Sequence, residues 1–134
     1  MSIDLDTCAK TLLSEATMNH HKARQYIQQK RYNEALDLLK HTLKLRKKYQ
    51  HKPPFVCVID IATVQIDIGN VLRLLALYSE ATMYFYQAFT NYSNYFGSDH
   101  HLTQNVRDQC ILTRYEAGSY KMIKVGCSNT APAA

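Results

Sequence analysis

The chain has 134 residues, of which 46% are hydrophobic and 20% charged, with a formal net charge of +5. This is the length and composition of one ordinary globular domain, and four glycines and three prolines favour long helices over a strand-rich sandwich or barrel. The motifs GxGxxG, GxxxxGK[ST], HExxH and GxSxG are absent from the sequence, which excludes the nucleotide, zinc-protease and serine-hydrolase signatures.

Positive charge is concentrated in one stretch of the chain. Residues 20–52 carry ten Lys or Arg against two acids. Within this stretch a basic patch, Lys40, Lys44, Lys47 and Lys48, has the spacing of one side of a helix. Such a patch can bind an acidic partner, whether peptide, nucleic acid or anionic lipid, or it can be a solvated helix face, and the sequence supports both equally.

The N-terminal third predicts a helical hairpin. Apolar residues recur every three or four positions over residues 5–27, and a second amphipathic segment starts at Tyr32 after a polar break. The Pro-Pro step at 53–54 ends this second helix, because proline lacks an amide donor and disfavours helical geometry in the preceding residue.

The middle segment, Phe55 to Leu77, is rich in β-branched residues that taken alone suggest two strands. Its helical period continues over more turns than a strand of ordinary length allows, so we predict a helix. Another helix, Glu80 to Phe96, ends at Gly97, and a following helix capped by Asp99 runs to Gly118.

The sequence contains an internal repeat. A Tyr-x-Glu-Ala step occurs at residues 32–35 and again at 78–81. Nine residues before each tyrosine stands a small residue, and seven after it a large one: Ala23 and Gly69, then Leu39 and Phe85. Because small residues let helices cross closely and large ones fill the gap, each copy predicts a packed helical hairpin.

This pattern resembles the tetratricopeptide repeat, and Gly-Ser-Asp-His at 97–100 is similar to the kinesin-light-chain variety. The resemblance implies an all-α fold, a short right-handed solenoid of antiparallel hairpins. Residues 1–124 would form this domain, with repeats at about 16–50, 57–97 and 100–124, the last with its second helix starting at Tyr120. Residues 125–134 have no period and are expected to form a loose tail.

The resemblance also implies a concave groove for peptides or partner helices, lined by the first helix of each hairpin. Its predicted residues in this chain are Thr17, His20, Arg24, Gln28, Asp67, Asn70, Arg73 and Gln109. Relatives that hold the C-terminal carboxylate of heat-shock chaperones use Lys and Asn in these positions, whereas Asp67 would repel a carboxylate, so that activity is not predicted. The alternative is a solvent-facing surface or a contact within a larger assembly.

No catalytic residue, cofactor or metal site is predicted. His20-His21 and Asp99 to His101 are the only metal-like groupings, and adjacent helical side chains point about 100° apart, so neither pair chelates an ion alone. Asp99 to His101 is better explained as a turn or helix cap. No acid is paired with a nucleophile, so we expect that the chain is not an enzyme.

The four cysteines form no CxxC pair and are expected to be reduced, with Cys8, Cys57 and Cys110 acting as small hydrophobes and Cys127 in the tail. The N-terminus is acidic where a secretory signal is basic, and charges interrupt the most apolar run. A cytosolic or nuclear protein without a membrane span is therefore expected.

Together these features predict a protein-interaction module that binds a protein or peptide partner in the groove, with the basic patch favouring an acidic one. The alternative is a binder of nucleic acid or anionic surfaces through residues 40–52. Because the third repeat is incomplete, we also predict that one end of the solenoid is buried against a second copy or the rest of a larger complex.

Overall fold

The computed structural model describes the backbone of residues 2–126 and the side chains of residues 7–118. Within this part the chain forms helices and no strand. The five helices are α1 (Ser2–Gln28), α2 (Tyr32–Lys48), α3 (Val58–Leu74), α4 (Tyr78–Phe96) and α5 (His101–Gly126). Each helix packs against the next one in the chain, so the predicted all-α stack of helical hairpins is confirmed.

The turns of the two hairpins have the same backbone hydrogen bonds. The amide of Arg31 donates to the Tyr26 carbonyl at 2.8 Å, and the amide of Leu77 donates to the Leu72 carbonyl at 2.8 Å. The residue before each donor is left-handed, with φ of 61° at Lys30 and 62° at Ala76. This is the Schellman end of a helix, and its recurrence shows that the sequence repeat is also a repeat of backbone structure.

The core lies around α3, which packs between α2 and α4. Ile61, Val64, Ile68 and Leu72 of α3 are fully buried. This explains why the segment is apolar nearly all round, because a helix covered on most sides has little surface left for polar residues. The prediction of a helix here rather than two strands is confirmed.

The predicted end of α5 at Gly118 is wrong, and so is a new helix starting at Tyr120. The helix continues unbroken to Gly126. A glycine ends a helix when it takes a positive φ, as Gly97 does at 93°, whereas a glycine with helical geometry only weakens the helix. The described fold is thus two hairpins and one further helix, and residues 127–134 of the expected tail lie outside the described residues.

His100, not Asp99, caps α5. The ring Nδ1 of His100 accepts a hydrogen bond from the backbone amide of Leu102 at 3.1 Å. The same ring stacks on Phe96, with the two ring centroids 4.1 Å apart. Because α5 begins at His101, His100 stands in the position next to the free amides of the first turn.

The prediction that Cys8, Cys57 and Cys110 act as small hydrophobes holds only for Cys110, which is buried, because Cys8 and Cys57 are exposed. Ala9 rather than Cys8 faces the core of α1, since adjacent helical residues point in different directions. Cys57 is the residue before α3 and lies outside its packed turns. Cys127 lies outside the described residues.

Candidate binding groove

Three of the predicted groove residues meet between α1 and α3. Oδ2 of Asp67 lies 2.6 Å from Nε2 of His20 and accepts a hydrogen bond from Nε of Arg24 at 3.0 Å. His20 and Asp67 are largely buried, while Arg24 is half exposed. These bonds join the first helices of the two hairpins, which are far apart in sequence.

Arg46 of α2 extends this cluster into the interior. Its guanidinium donates to Nδ1 of His20 at 3.3 Å, to the Asp60 carbonyl at 2.9 Å and to Oγ1 of Thr17 at 3.5 Å. Burial lowers the pKa of Arg46, an effect that the carboxylates of Asp60 and Asp67 oppose. Because a guanidinium only donates, Nδ1 of His20 accepts, and Nε2 carries the proton donated to Asp67.

A second cluster joins α3 to α5. Nε of Arg73 donates to Oε1 of Glu116 at 2.6 Å, and a terminal nitrogen of Arg73 donates to Oε1 of Gln109 at 3.2 Å. Both charged side chains are about one-third exposed. Arg73 therefore bridges two successive helices as Asp67 does on the other side of α3.

Beside Arg73 lies an open cleft of about 490 Å³, here called the α3–α5 cleft. Its lining residues are Asn70, Arg73, Leu74, Tyr78 and Glu116. Asn70 and Leu74 are exposed, so the cleft presents a free amide next to an apolar side chain.

The predicted groove residues thus divide into three groups. His20, Arg24, Asp67, Arg73 and Gln109 bond to neighbouring helices, and Thr17 accepts a bond from Arg46. Asn70 lines the α3–α5 cleft, while Gln28 is exposed at the end of α1 and makes no side-chain hydrogen bond within the described part of the chain. Because Arg24 and Arg73 each face a carboxylate, this surface carries little free positive charge.

Sequence reasoning missed Arg46 and Glu116. Arg46 continues the apolar stripe of α2, seven residues after Leu39, and a cation in such a position marks a buried polar contact. Glu116 stands seven residues after Gln109 and therefore on the same face of α5. In both cases the spacing indicates the face of the helix on which the residue lies, but it does not identify the residue that it contacts.

The four lysines of the basic patch are all exposed on α2. Among the described residues none of them forms an ion pair with an acid, although Nζ of Lys48 lies 5.5 Å from the centroid of the Tyr49 ring. Lys47 alone lines a cleft between α2 and α4. The patch thus presents uncompensated positive charge to solvent.

Two further features of the described residues bear on function. No three His, Cys, Asp or Glu side chains within the described part are grouped to hold a metal ion. None of the described helices is long and apolar enough to span a membrane.

Comparison with known proteins supports the repeat. Residues 20–49, which comprise the last third of α1, the turn, α2 and the residue after it, match the family model described as tetratricopeptide repeat. Neither a curated protein nor a solved structure matched the chain. Tetratricopeptide repeats generally mediate protein–protein interactions, and the kinesin-light-chain variety stays a prediction. The suspected family resemblance is confirmed for this segment: within an all-helical chain, residues 20–49 match the tetratricopeptide repeat.

Proposed function

We propose that the chain is a non-enzymatic interaction module. It binds a peptide or protein segment along the first helix of each hairpin, α1 and α3, and the α3–α5 cleft is the centre of this binding groove. The observation that carries this proposal is the exposed Asn70 amide beside the exposed Leu74 in that cleft. An amide offers both a donor and an acceptor, which matches the main chain of a peptide, and leucine offers contact to an apolar side chain.

The charged residues of the α3–α5 cleft, Arg73 and Glu116, limit the kinds of ligand that the cleft can bind. Arg73 is already bonded to Glu116 and Gln109, so a carboxylate ligand would have to displace Glu116. A peptide held by its main chain and one apolar side chain needs no such exchange. The proposed ligand is therefore held by its main chain and an apolar side chain, and not by a carboxylate bound to Arg73.

A peptide-display selection followed by titration tests this proposal. Peptides selected on the intact chain should bind Asn70→Ala and Leu74→Asp roughly tenfold more weakly, about 1.4 kcal/mol. Matched controls on second helices are Asn33→Ala, also exposed, and Met83→Asp, since Met83 is 62% exposed against 57% for Leu74. Failure to select any peptide, or equal weakening by the controls, would contradict the proposal.

The second candidate is a binder of nucleic acid or anionic surfaces through the basic patch. It is favoured by the absence of ion pairs at these four exposed lysines within the described residues. Phosphate binding loses affinity steeply with salt, with a slope that reflects the number of phosphates contacted, whereas apolar groove binding does not. A titration with oligonucleotide at several salt concentrations separates the two.

A cytosolic or nuclear location belongs to the same proposal. It rests on the free state of Cys8, Cys57 and Cys110, which is the form that a reducing compartment maintains.

A further inference from the structure

A second cleft, of about 360 Å³, lies between α2 and α4, and we call it the α2–α4 cleft. It shares no residue with the α3–α5 cleft. Its lining residues are Lys47, Gln50, Ile61, Gln65, Tyr86, Gln87, Thr90 and Asn91. Four of these eight side chains are amides.

A buried glutamine orients two of these amides. Gln65 is only 2% exposed, and its Nε2 donates to Oε1 of Gln87 at 3.1 Å. Its Oε1 accepts from Nδ2 of Asn91 at 2.8 Å. Both ends of the Gln65 amide are therefore used inside the protein, and the orientations of the Gln87 and Asn91 amides are defined by these bonds.

The same bonds leave one donor and one acceptor available. Nε2 of Gln87 and Oδ1 of Asn91 are bonded to no other described residue. In an extended peptide, the N–H and C=O of one residue point to the same side of the chain. A neighbouring acceptor and donor match that pair, as in the main-chain recognition of an added strand.

The surroundings of the amides indicate the side chains of the ligand. Lys47 lines the cleft and is exposed, and Lys44 and Lys40 are also exposed on α2. None of the described lining residues is acidic. Tyr86 is 57% exposed and offers a ring face of the kind that often anchors a partner. Positive charge beside an aromatic ring complements acidic residues next to apolar ones.

We infer that the α2–α4 cleft binds an extended acidic peptide segment, separately from the groove of the proposed function. One residue of the segment bonds through its main chain to Gln87 and Asn91. An acidic side chain lies at Lys47, and an apolar side chain packs on Tyr86.

Fluorescence anisotropy with a labelled peptide of alternating leucine and glutamate tests this site. We expect Lys47→Glu and Tyr86→Ala each to weaken binding of the probe roughly tenfold. Lys22→Glu on α1 makes the same change in net charge, and Tyr95→Ala removes a tyrosine of the same helix with the same 57% exposure. Both controls should bind as the parent chain does.

Two further measurements make the assignment specific. In a titration followed by nuclear magnetic resonance, the side-chain amide signals of Gln87 and Asn91 should shift, whereas that of Asn70 should not. A probe with glutamine in place of glutamate should bind more weakly than the acidic one.

The proposal is overturned if the acidic probe does not bind, or if Lys47→Glu binds it as well as the parent does. It is also overturned if oligothymidine, and not the peptide, shifts the Gln87 and Asn91 signals, because the cleft then takes single-stranded nucleic acid. Asn70→Ala leaves the α2–α4 cleft intact, so this variant should bind the acidic probe as the parent chain does. That result is expected whether or not the groove proposal holds, so the two proposals can fail separately.

Discussion

Gly69 of α3 lies directly against the ring of Phe85 of α4: a Cβ built on Gly69 would be 2.8 Å from Cε1 of that ring. Phe85 is fully buried, so the side chains packed around the ring oppose its displacement. These are the small and the large residue that the repeat pattern pairs in its second copy. Glycine is needed here for close helix approach, not for an unusual backbone angle.

Gly69→Leu should therefore lower the free energy of unfolding by about 1–3 kcal/mol through overpacking. The same change at Gly118, where a Cβ would meet nothing within 4 Å, should raise it by roughly 0.5–1 kcal/mol through helix propensity. Urea titrations followed by circular dichroism measure both. Equal stability of the Gly69 variant and the parent would mean that the ring can move aside.

Asp67 holds two donors, His20 and Arg24, that would be left without this acceptor in Asp67→Ala. We expect a loss of about 1–3 kcal/mol, because His20 is buried and its Nε2 proton would have no acceptor. Asp108→Ala is the control, since Asp108 is exposed and should change stability by less than about 0.5 kcal/mol. Similar losses of stability in the two variants would mean that the contacts of Asp67 with His20 and Arg24 contribute no more than an exposed carboxylate does.

Ala76 has a left-handed backbone in the turn before α4. Because an L-residue in this conformation costs roughly 1–2 kcal/mol relative to glycine, Ala76→Gly should stabilise the fold by about 1 kcal/mol. Ala117→Gly in α5 should have the opposite sign, since glycine weakens a helix interior by about 0.5–1 kcal/mol. Thermal unfolding of both variants checks these signs, and a destabilised Ala76→Gly would contradict the Schellman geometry.

Cys110 should react slowly with iodoacetamide, and Cys8 and Cys57 quickly. Burial raises the pKa of Cys110, so less of its reactive thiolate is present at a given pH, and Sγ donates to the Thr82 carbonyl at 3.8 Å. Peptide mapping by mass spectrometry distinguishes the sites, including Cys127. In the denatured chain the cysteines should react at similar rates. Equal rates in the folded chain would show that the α4–α5 contact opens readily.

Among the described residues, α5 presents two large exposed side chains, with Ile111 60% and Tyr115 72% exposed. We expect this end to be buried against a second copy or another subunit, so that the mass measured by light scattering rises with concentration or with a partner. Ile111→Glu should suppress the rise, and Met18→Glu, at a position of α1 that is 69% exposed, should not. A monomer at high concentration that also binds no partner through this end would refute the expectation.

Local sequence accounts for most of the helices and little of the site. The prediction for α4 came within two residues of its start and matched its end at Gly97, because apolar period and a left-handed glycine are local signals. The same local reasoning wrongly placed the end of α5 at Gly118. A glycine in sequence does not reveal its φ, and only the observed helix shows that α5 continues.

The sequence by itself determined the helical class and the internal repeat, since both depend on side-chain spacing within one or two helices. Tertiary structure alone decided that Arg46 bonds to His20, that Arg73 bonds to Glu116, and that Gln65 orients the amides of the α2–α4 cleft. Each of these contacts joins side chains more than twenty residues apart. Their distances depend on how the helices pack, and spacing along the chain does not encode them.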